Sequence, residues 1–348
     1  MNKLNILVTG AGGGGIGEQI VKSLINGDND YFIVCTDTRE LSIASVIGDV
    51  FHVLPKASSP EYINELLLVC RKFEIKAVFP GSEPELIELV RNKEKLLEMG
   101  VKLPVNTADL ISLCSDKIKF NDYLTNNGFV TCKTYLIDDG FEFADLTDYP
   151  YVIKPIKGSG SANVFIVQDI MELKSIITYL GSEHKFILQE YIGNLEEEYT
   201  VGILSTEDLG YVQHITLQRD LSLGLSIKQK VQNKTNRSDL GDYLGISTGI
   251  SQGKFVENHL INDVVMRVVD LLQPTSSINM QCRVHNGEVY IFEINPRFSG
   301  TTNLRALVGF NEIEFIINRM FTRNNVVLNP DIWTNKVVYR GLKEYTIN

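Results

Sequence analysis

The first hundred residues alternate between short apolar runs and longer segments in which apolar residues recur every three or four positions. The short runs predict buried strands at residues 4–9, 31–36, 77–79 and 101–104. The periodic segments predict helices at residues 18–25, 42–47, 60–73 and 83–95. Strands and helices that alternate in this way are typical of an α/β fold with a parallel sheet.

The rest of the chain predicts more strands and fewer helices. Helical spacing covers residues 106–115 and 119–127, and from residue 131 onward strands dominate. Further helices are predicted at residues 171–180, 259–272 and 302–321, and a final strand within residues 337–345. Asn286 and Gly287 separate two apolar runs, which predicts a hairpin of strands 281–284 and 289–294.

The second strand of that hairpin carries three polar residues at alternate positions, Glu293, Asn295 and Arg297. Because side chains two residues apart on a strand point the same way, these three share one face, and Phe292, Ile294 and Pro296 take the other. Hard oxygen ligands beside a fixed cation suit Mg²⁺ and the phosphates that it carries. An exposed edge strand with ordinary polar alternation is the alternative.

A second candidate segment is a small-residue loop between two apolar runs. The first run ends in Lys154, and the loop contains Lys157 followed by four small residues, Gly158, Ser159, Gly160 and Ser161. Glycines let backbone N–H groups approach an anion closely, serines add hydroxyl donors, and the lysines add charge. The segment therefore fits a phosphate-binding loop, although a hairpin without a ligand uses the same residues.

A third segment, at residues 186–201, predicts a strand, a turn and a second strand that carries acids. Gln189, Glu190, Tyr191 and Ile192 end the first strand, and Glu196, Glu197 and Glu198 precede the second.

Taken in order, these segments resemble the ATP-grasp family, and within it the carbamoyl phosphate synthase-like branch. The matching residues begin at Lys117, continue through Lys154 and residues 158–161, 189–192 and 198–201, and end at residues 293–297. The resemblance implies an α/β and α+β chain with an N-terminal Rossmann-like pre-ATP-grasp domain at residues 1–112. A two-lobed ATP-grasp domain would follow, with its small lobe at residues 113–192 and its large lobe at residues 193–348.

The resemblance also assigns roles. It implies that Lys117 and Lys154 hold the nucleotide phosphates under a lid formed by Lys157, Gly158, Ser159, Gly160 and Ser161. Gln189, Glu190, Tyr191 and Ile192 would form the linker that reads adenine, and Glu198 would bind the ribose hydroxyls, with a register ambiguity caused by Glu196 and Glu197. Glu293, Asn295 and Gln281 would hold Mg²⁺ or Mn²⁺, although Gln281 could equally be a core or edge glutamine. Arg297 would face the transferred phosphoryl group, which makes Arg297 and Lys154 the predicted catalytic residues.

The activity implied is ATP-dependent ligation. A carboxylate attacks the γ-phosphate of ATP, and the acyl phosphate is captured by an amine or a similar nucleophile. The N-terminal segment offers an alternative, because its glycine run at residues 10–17 and Asp37 match a dinucleotide-binding motif. An NAD(P)-dependent epimerase or reductase would use that motif, but the Tyr-x-x-x-Lys pair occurs only as Tyr339 and Lys343, at the far end of the chain.

Composition and charge narrow the range of possible functions further. A net charge of −10 disfavours nucleic-acid binding, and the sequence has no long apolar run that would predict a membrane segment. The five cysteines show no metal-binding spacing, which favours free thiols in the cytoplasm. We expect small-molecule carboxylate and amine substrates, and a homodimer is compatible with the sequence. The substrate candidates are Arg219, Lys228, Lys230 and Ser299, although a solvated basic edge accounts equally well for the first three.

Overall fold

The structure is a computed structural model that describes residues 3–138, 141, 143, 146–156, 163–181, 185–222, 224–322 and 328–345. The described residues contain a parallel sheet of four strands, followed by antiparallel sheets of four, six and two strands. This succession confirms the predicted fold class, α/β followed by α+β. None of the helices in the described part of the chain has the length and apolar character that a membrane span needs.

The N-terminal sheet is parallel, with strand order β3-β2-β1-β4. Its strands are β1 (Leu4–Val8), β2 (Tyr31–Asp37), β3 (Val50–Val53) and β4 (Ala77–Phe79). Its helices are α1 (Ile16–Ile25), α2 (Ala44–Ile47), α3 (Tyr62–Lys72), α4 (Glu83–Arg91) and α5 (Lys93–Glu98). Leu7 enters the core beneath α3 and α4, while Ile6 and Val8 enter the core beneath α1, because side chains alternate along a strand. Helices therefore cover both faces of this sheet.

The small lobe is an antiparallel sheet, with strand order β5-β8-β6-β7. Its elements are β5 (Thr134–Ile137), β6 (Tyr151–Pro155), β7 (Phe165–Val167), α8 (Ile170–Leu180) and β8 (Phe186–Glu190). Two helices lead into it from the N-terminal domain, α6 (Ala108–Ser115) and α7 (Lys117–Asn126). Asp116 caps α7 by accepting hydrogen bonds from the Ile118 and Lys119 amides, which fixes Lys117 as the first helical residue.

The large lobe is built on a six-stranded antiparallel sheet, with strand order β15-β14-β9-β10-β13-β16. Its strands are β9 (Glu198–Thr206), β10 (Gly210–Arg219), β13 (Gly253–Val256), β14 (Ile278–His285), β15 (Glu288–Asn295) and β16 (Val337–Val338). A separate ribbon pairs β11 (Ile227–Gln232) with β12 (Tyr243–Ser247). Helix α9 (His259–Leu272) has the predicted bounds and buries its apolar face, including Val265 and Val268, against Met280 and Ile294.

The C-terminal helices join the large lobe to the N-terminal domain. They are α10 (Thr302–Leu307), α11 (Glu312–Phe321) and α12 (Pro330–Trp333). Both α10 and α11 pack against α1, and one apolar core combines Ile20 of α1 with Ile316 of α11 and Phe255 of β13. The N-terminal sheet and the large lobe therefore share a core.

Several predicted elements are divided or shortened. The helix predicted at residues 83–95 is interrupted at Asn92, whose side-chain amide donates to the Glu88 carbonyl (3.0 Å) and competes with the backbone. The helix predicted at residues 302–321 is interrupted because Gly309 has φ +99°, a value that ends a helix. Residues 101–104 contribute only an isolated bridge, from Lys102 to Ala77. The tail contributes only two strand residues, and the partly buried edge strand β3 was not predicted.

A buried ion pair lies next to strand β9 of the six-stranded sheet. Arg305 and Glu312 are almost completely buried, with 3.3 Å between Arg305 Nη1 and Glu312 Oε1. Thr302 Oγ1 donates to the same carboxylate oxygen (2.7 Å). A side chain at Gly202 of β9 would not fit, because its Cβ would lie 2.3 Å from the Arg305 guanidinium carbon.

Arg305→Met is expected to destabilise the fold by about 3–5 kcal/mol, because the Glu312 carboxylate would stay buried without its counter-charge. Urea unfolding followed by circular dichroism measures the change. Arg91→Met is the matched control, since Arg91 is exposed and its pair with Glu88 is solvated, so little change is expected there. An Arg305→Met midpoint equal to that of the wild type would contradict this account.

Candidate active site

A cavity of about 550 Å³ lies where the N-terminal domain, the small lobe and the large lobe meet. The N-terminal domain contributes Gly13, Gly14, Gly15 and the segment from Gly81 to Pro84 to its wall. The small lobe contributes β6 and the end of β8, and the large lobe contributes one face of its six-stranded sheet. Most of the residues predicted from the sequence to form a site line this single cavity.

Strand alternation supplies the polar wall. On β14, Ile278, Met280 and Cys282 are buried in the core with α9, and the residues between them face the cavity. The polar residues that β9, β14 and β15 present to the cavity are Glu198, Thr200, Asn279, Gln281, Arg283, Glu293 and Asn295. One face of the sheet therefore holds the core, and the opposite face holds the site.

Lys117 and Lys154, the two predicted phosphate-binding lysines, both line the cavity. Lys154 is 9% exposed, and its Nζ donates to Gln189 Oε1 (2.8 Å). Burial lowers the Lys154 pKa to about 8, an effect that Glu293 opposes and Lys117 reinforces. Lys117 Nζ donates to the Ile156 carbonyl (3.3 Å). The predicted lid residues Lys157, Gly158, Ser159, Gly160 and Ser161 lie outside the described residues.

The predicted metal-binding strand also faces the cavity, with one difference from the expected alternation. Gln281 and Asn279 of β14 lie opposite Glu293 and Asn295 of β15 in the sheet register. A β-bulge shifts the register between Gln281 and Cys282, and as a result Phe292 lines the cavity together with Glu293. The prediction that Phe292 points away from the polar residues is therefore wrong, and the bulge is the reason.

Arg297 follows this strand and is held by its neighbours. Its Nη2 donates to Asn295 Oδ1 (2.9 Å), and its Nη1 donates to the Phe298 carbonyl (3.2 Å). Burial lowers the Arg297 pKa, and the nearby carboxylates of Glu83 and Glu293 act in the opposite direction. A guanidinium in this position lies beside the carboxylate and amide oxygens of the same strand.

The linker after β8 borders an apolar part of the cavity, which we call the apolar slot. It is formed by Val152, Val164, Tyr191, Ile192 and Ile246. Glu190, at the end of β8, lines the cavity beside this slot, and its carboxylate lies 3.9 Å from the Arg237 guanidinium. A flat aromatic ring would bury apolar surface in such a slot.

Glu198, predicted to bind ribose hydroxyls, is buried between two arginines. Its Oε1 accepts from Arg219 Nη1 (3.0 Å), and its Oε2 accepts from Arg283 Nη2 (2.8 Å). Burial alone would raise the Glu198 pKa, but Arg283 and Arg219 outweigh it and keep the pKa below the ordinary value. Both carboxylate oxygens already hold charged donors, so a ribose hydroxyl would share them with the arginines.

Arg283 is a site residue that the sequence analysis missed. Its guanidinium lies 4.5 Å from the centre of the Tyr191 ring, and it donates to the carbonyls of Ile192 (3.0 Å) and Gly245 (3.2 Å). It therefore ties the linker to β14 and β12. Its position two residues after Gln281, on the same face of β14, was the signal that could have revealed it.

Asn279 was also missed, although the same alternation indicates it. Its Oδ1 accepts from Thr200 Oγ1 (3.0 Å) and from the Arg305 guanidinium. Because two donors hold the oxygen, the Nδ2 amide is the part of this side chain that can donate into the cavity.

The substrate candidates fall into two groups. Arg219 and Ser299 line the cavity. Arg219 is paired with Glu198, and the hydroxyl groups of Ser299 and Thr301 are hydrogen-bonded to each other (2.7 Å). Lys228 and Lys230 do not line it. They lie on the exposed face of β11, where their ammonium groups contact the rings of Phe165 and Tyr243.

The N-terminal glycine loop faces the same cavity as Lys154. Gly13 and Gly14 have φ values of +79° and +74°, which glycine adopts without strain. Asp37, the acid of the dinucleotide alternative, accepts hydrogen bonds from Ser42 Oγ and from the Thr38 amide (both 2.6 Å). A Cβ at Gly12 would lie 1.9 Å from Asp37 Oδ2, so this glycine allows Asp37 to pack beneath the loop. Both carboxylate oxygens of Asp37 are therefore already held by neighbouring residues.

Comparison with known proteins identifies the class. A family model described as an ATP-grasp domain matches residues 114–301, which is more than half of the chain, and one described as the PylC-like N-terminal domain matches residues 6–104. The chain belongs to the ATP-grasp family, which confirms the resemblance predicted from its motifs.

Individual relatives are distant. The carbamoyl phosphate synthase large chain of Sulfolobus acidocaldarius is 24% identical over 335 residues, 90% of this chain and 29% of the relative. The chain therefore spans less than a third of that relative's length. Among solved structures, the L-amino acid ligase of Bacillus licheniformis has a TM-score of 0.62 at 15% identity, covering 92% of this chain and 74% of the other. The D-alanine–D-alanine ligase of Bacillus anthracis, complexed with ATP, has a TM-score of 0.58 at 16% identity, and the match covers 93% of this chain and 98% of the other.

The lowered Lys154 pKa predicts that nucleotide affinity falls as the pH rises above about 8, because the lysine then loses the charge that attracts phosphate. Calorimetric titration with ADP and Mg²⁺ should give about tenfold weaker binding at about pH 9 than at about pH 7. Lys154→Arg is the control, since a guanidinium stays charged over this range and should bind with a flatter pH profile. Equal slopes for both proteins would refute the role of Lys154.

Arg283→Met is expected to weaken ADP binding by about tenfold or more, since the linker carbonyls would lose their charged donor. Arg267→Met is the matched control. Arg267 also stacks on a ring, that of Phe129, and donates to a carbonyl, that of Gly128, but it lies outside the cavity. Calorimetry on both variants, each first shown to be folded by circular dichroism, tests the assignment. Equal ADP affinity in the two variants would show that Arg283 does not position the linker.

Proposed function

We propose that this protein is an ATP-dependent ligase that activates a carboxylate as an acyl phosphate for attack by an amine or a similar nucleophile. The observation that carries the proposal is the convergence of Lys117, Lys154, Glu293 and Arg297 on one cavity, from segments far apart in the chain. Two lysines, a carboxylate and a guanidinium beside an apolar slot are what binding and transfer of a nucleotide phosphate require.

The nucleotide would lie with adenine in the apolar slot and its phosphates toward Lys154 and Lys117. Glu190, Tyr191 and Ile192 border the slot, and Gln189 orients Lys154 through the hydrogen bond to its ammonium group. Glu198 would act on the ribose together with Arg219. The ATP complex of the structurally similar Bacillus anthracis ligase supports ATP as the nucleotide.

The donor set of the polar wall fits Mg²⁺ or Mn²⁺. Glu293 supplies a carboxylate, and Gln281 and Asn295 supply amide oxygens on the same face, all of them hard ligands that such ions prefer. When bound, the ion would neutralise charge on the phosphate oxygens. Asn295 Oδ1 already accepts from Arg297, so the guanidinium and the ion would share one oxygen.

The transfer itself needs positioning rather than a side-chain nucleophile. A carboxylate oxygen of the substrate forms a bond to the γ-phosphorus, the bond to the bridging oxygen breaks, and ADP leaves with the electron pair. The amine then attacks the acyl carbon, loses a proton, and phosphate leaves. Arg297 and Lys154 would stabilise the negative charge on the transferred group, and Asn279 can add a neutral donor.

The proposal is tested by incubating the protein with ATP, Mg²⁺ and pooled carboxylates and amines, and measuring ADP and phosphate. Release that depends on the added substrates supports the ligase. Redox turnover of NAD(P) without ADP formation would favour the dinucleotide-dependent alternative instead.

Glu293→Gln is expected to lower turnover by about 100-fold, because the proposed metal site would lose its carboxylate ligand. The volume of the side chain stays nearly the same, so the fold should be preserved. Glu288→Gln is the matched control, since Glu288 is exposed at the start of the same strand. Circular dichroism should show both variants folded. Unchanged turnover in Glu293→Gln would mean that the metal strand has been wrongly assigned.

A further inference from the structure

The chain after β16 reaches back toward the cavity through one side chain, that of Arg340. It is anchored two residues earlier, because Val338 pairs with Gly253 of β13 and is buried in the core that the large lobe shares with the N-terminal domain. Arg340 Nη2 donates to the carbonyl of Gly300 (2.6 Å) and to Gln19 Oε1 (3.0 Å). Arg340 therefore joins the C-terminal tail, the large lobe and helix α1 at one point.

Gly300 belongs to a segment of the cavity wall. Residues 299–301 line the cavity between the proposed metal strand and α10. Arg297, which the proposed function places beside the transferred phosphoryl group, also lines the cavity and lies three residues before Gly300. The position of the Gly300 backbone therefore bears on the position of the Arg297 guanidinium and on the shape of the wall.

The rest of this segment is held differently. Phe298 packs on Phe79 of β4, with 5.7 Å between the ring centres, which fixes the beginning of the segment. Ser299 and Thr301 are hydrogen-bonded to each other, within the segment. Arg340 supplies the hydrogen bonds that connect the middle of the segment to the N-terminal domain. Because its donor is charged, such a bond is stronger than one between neutral groups.

Gly300 also touches a second piece of the cavity wall. Residues 248–251, which follow β12, line the cavity, and a Cβ at Gly300 would lie 2.5 Å from the Gly249 carbonyl oxygen. Two backbones that approach this closely transmit a displacement from one to the other, because close-packed atoms leave little room for adjustment. A shift of Gly300 would therefore alter both pieces of the wall.

We propose that Arg340 is a positioning residue for phosphoryl transfer: its guanidinium holds the Gly300 carbonyl, and thereby Arg297 and the adjoining wall, in place against the N-terminal domain. This inference rests on the proposed function and adds to it a residue from the C-terminal tail. Arg340 is not among the residues that line the cavity, so it acts through the backbone of the wall rather than on a ligand.

Hydrogen exchange measured by mass spectrometry tests the positioning without requiring turnover. Arg340→Met should speed exchange at the hydrogen-bonded amides within residues 299–302 by about tenfold, because local opening no longer breaks a charged hydrogen bond. Exchange in the linker at residues 189–192 should stay as in the wild type. Lys343→Met is the matched control, since Lys343 is an exposed cation of the same tail whose ammonium group contacts the Tyr345 ring.

The turnover assay separates a positioning role from a purely structural one. With carboxylates and amines that drive ADP release, Arg340→Met should lower kcat by about 10- to 100-fold, because a small misplacement of the groups around the transferred phosphate slows transfer. Calorimetric affinity for ADP with Mg²⁺ should stay as in the wild type, since the apolar slot is built from other segments. Arg340→Lys retains a charged donor and should restore part of both the slow exchange and the turnover.

Two results in folded Arg340→Met would overturn the inference: wild-type exchange at residues 299–302, or faster exchange there with an unchanged kcat. If this variant does not fold, Arg340→Lys decides, because smaller changes in the same directions are expected and wild-type values would refute the role. If the wild-type protein releases no ADP with any substrate pool, the ligase proposal fails. Faster exchange in Arg340→Met would then still support Arg340 as the residue that holds this wall.

Discussion

The site depends on alternation along β9, β14 and β15, which divides one sheet into an apolar face and a charged face. Met280 and Ile294 bury against α9, and their neighbours Gln281 and Asn295 face the cavity. The apolar face supplies the free energy of packing that holds the strands in register. The register in turn decides which charges meet, since Glu198 lies opposite Arg283 and Gln281 lies opposite Glu293. A shift by one residue would exchange the core and the site.

Buried charges on this face are tolerated because they are paired. Glu198 has two arginines, and Arg305 lies between Glu312 and Asn279. Removing one partner from such a group leaves a charge without compensation in a low dielectric. The same arginines also connect the cavity wall to the surrounding elements. Arg283 donates a hydrogen bond to the linker beside the apolar slot, and Arg305 donates one to Asn279 on the polar wall. The contacts that stabilise the fold therefore also position residues of the proposed ligand site.

Local patterns explain how much of this could be predicted from sequence. The alternation in β15 was sufficient to find Glu293, Asn295 and Arg297, and the Asn286–Gly287 turn located the hairpin. The bulge that turns Phe292 toward the cavity is a property of the pairing between two strands, which one strand's pattern does not reveal. The partners of Glu198 also needed the fold, because Arg219 and Arg283 are 21 and 85 residues away. Lys228 and Lys230 carry suitable charges, but they are exposed on β11 and are not among the residues that line the cavity.

The charge of the cavity differs in sign from that of the whole chain. The described lining residues include five cations, Lys117, Lys154, Arg219, Arg283 and Arg297, and four carboxylates, Glu83, Glu190, Glu198 and Glu293, whereas the chain carries a net charge of −10. A cleft of opposite sign in an acidic protein focuses its field on anions and draws a polyphosphate inward. One surplus positive charge compensates only a small part of the charge of a triphosphate, and a divalent cation at the proposed metal site would compensate a further two charges. Among these four carboxylates, Glu190 lies near Arg237 and Glu198 is held by two arginines, so the carboxylate of the proposed metal site, Glu293, is not already held by a cation in an ion pair.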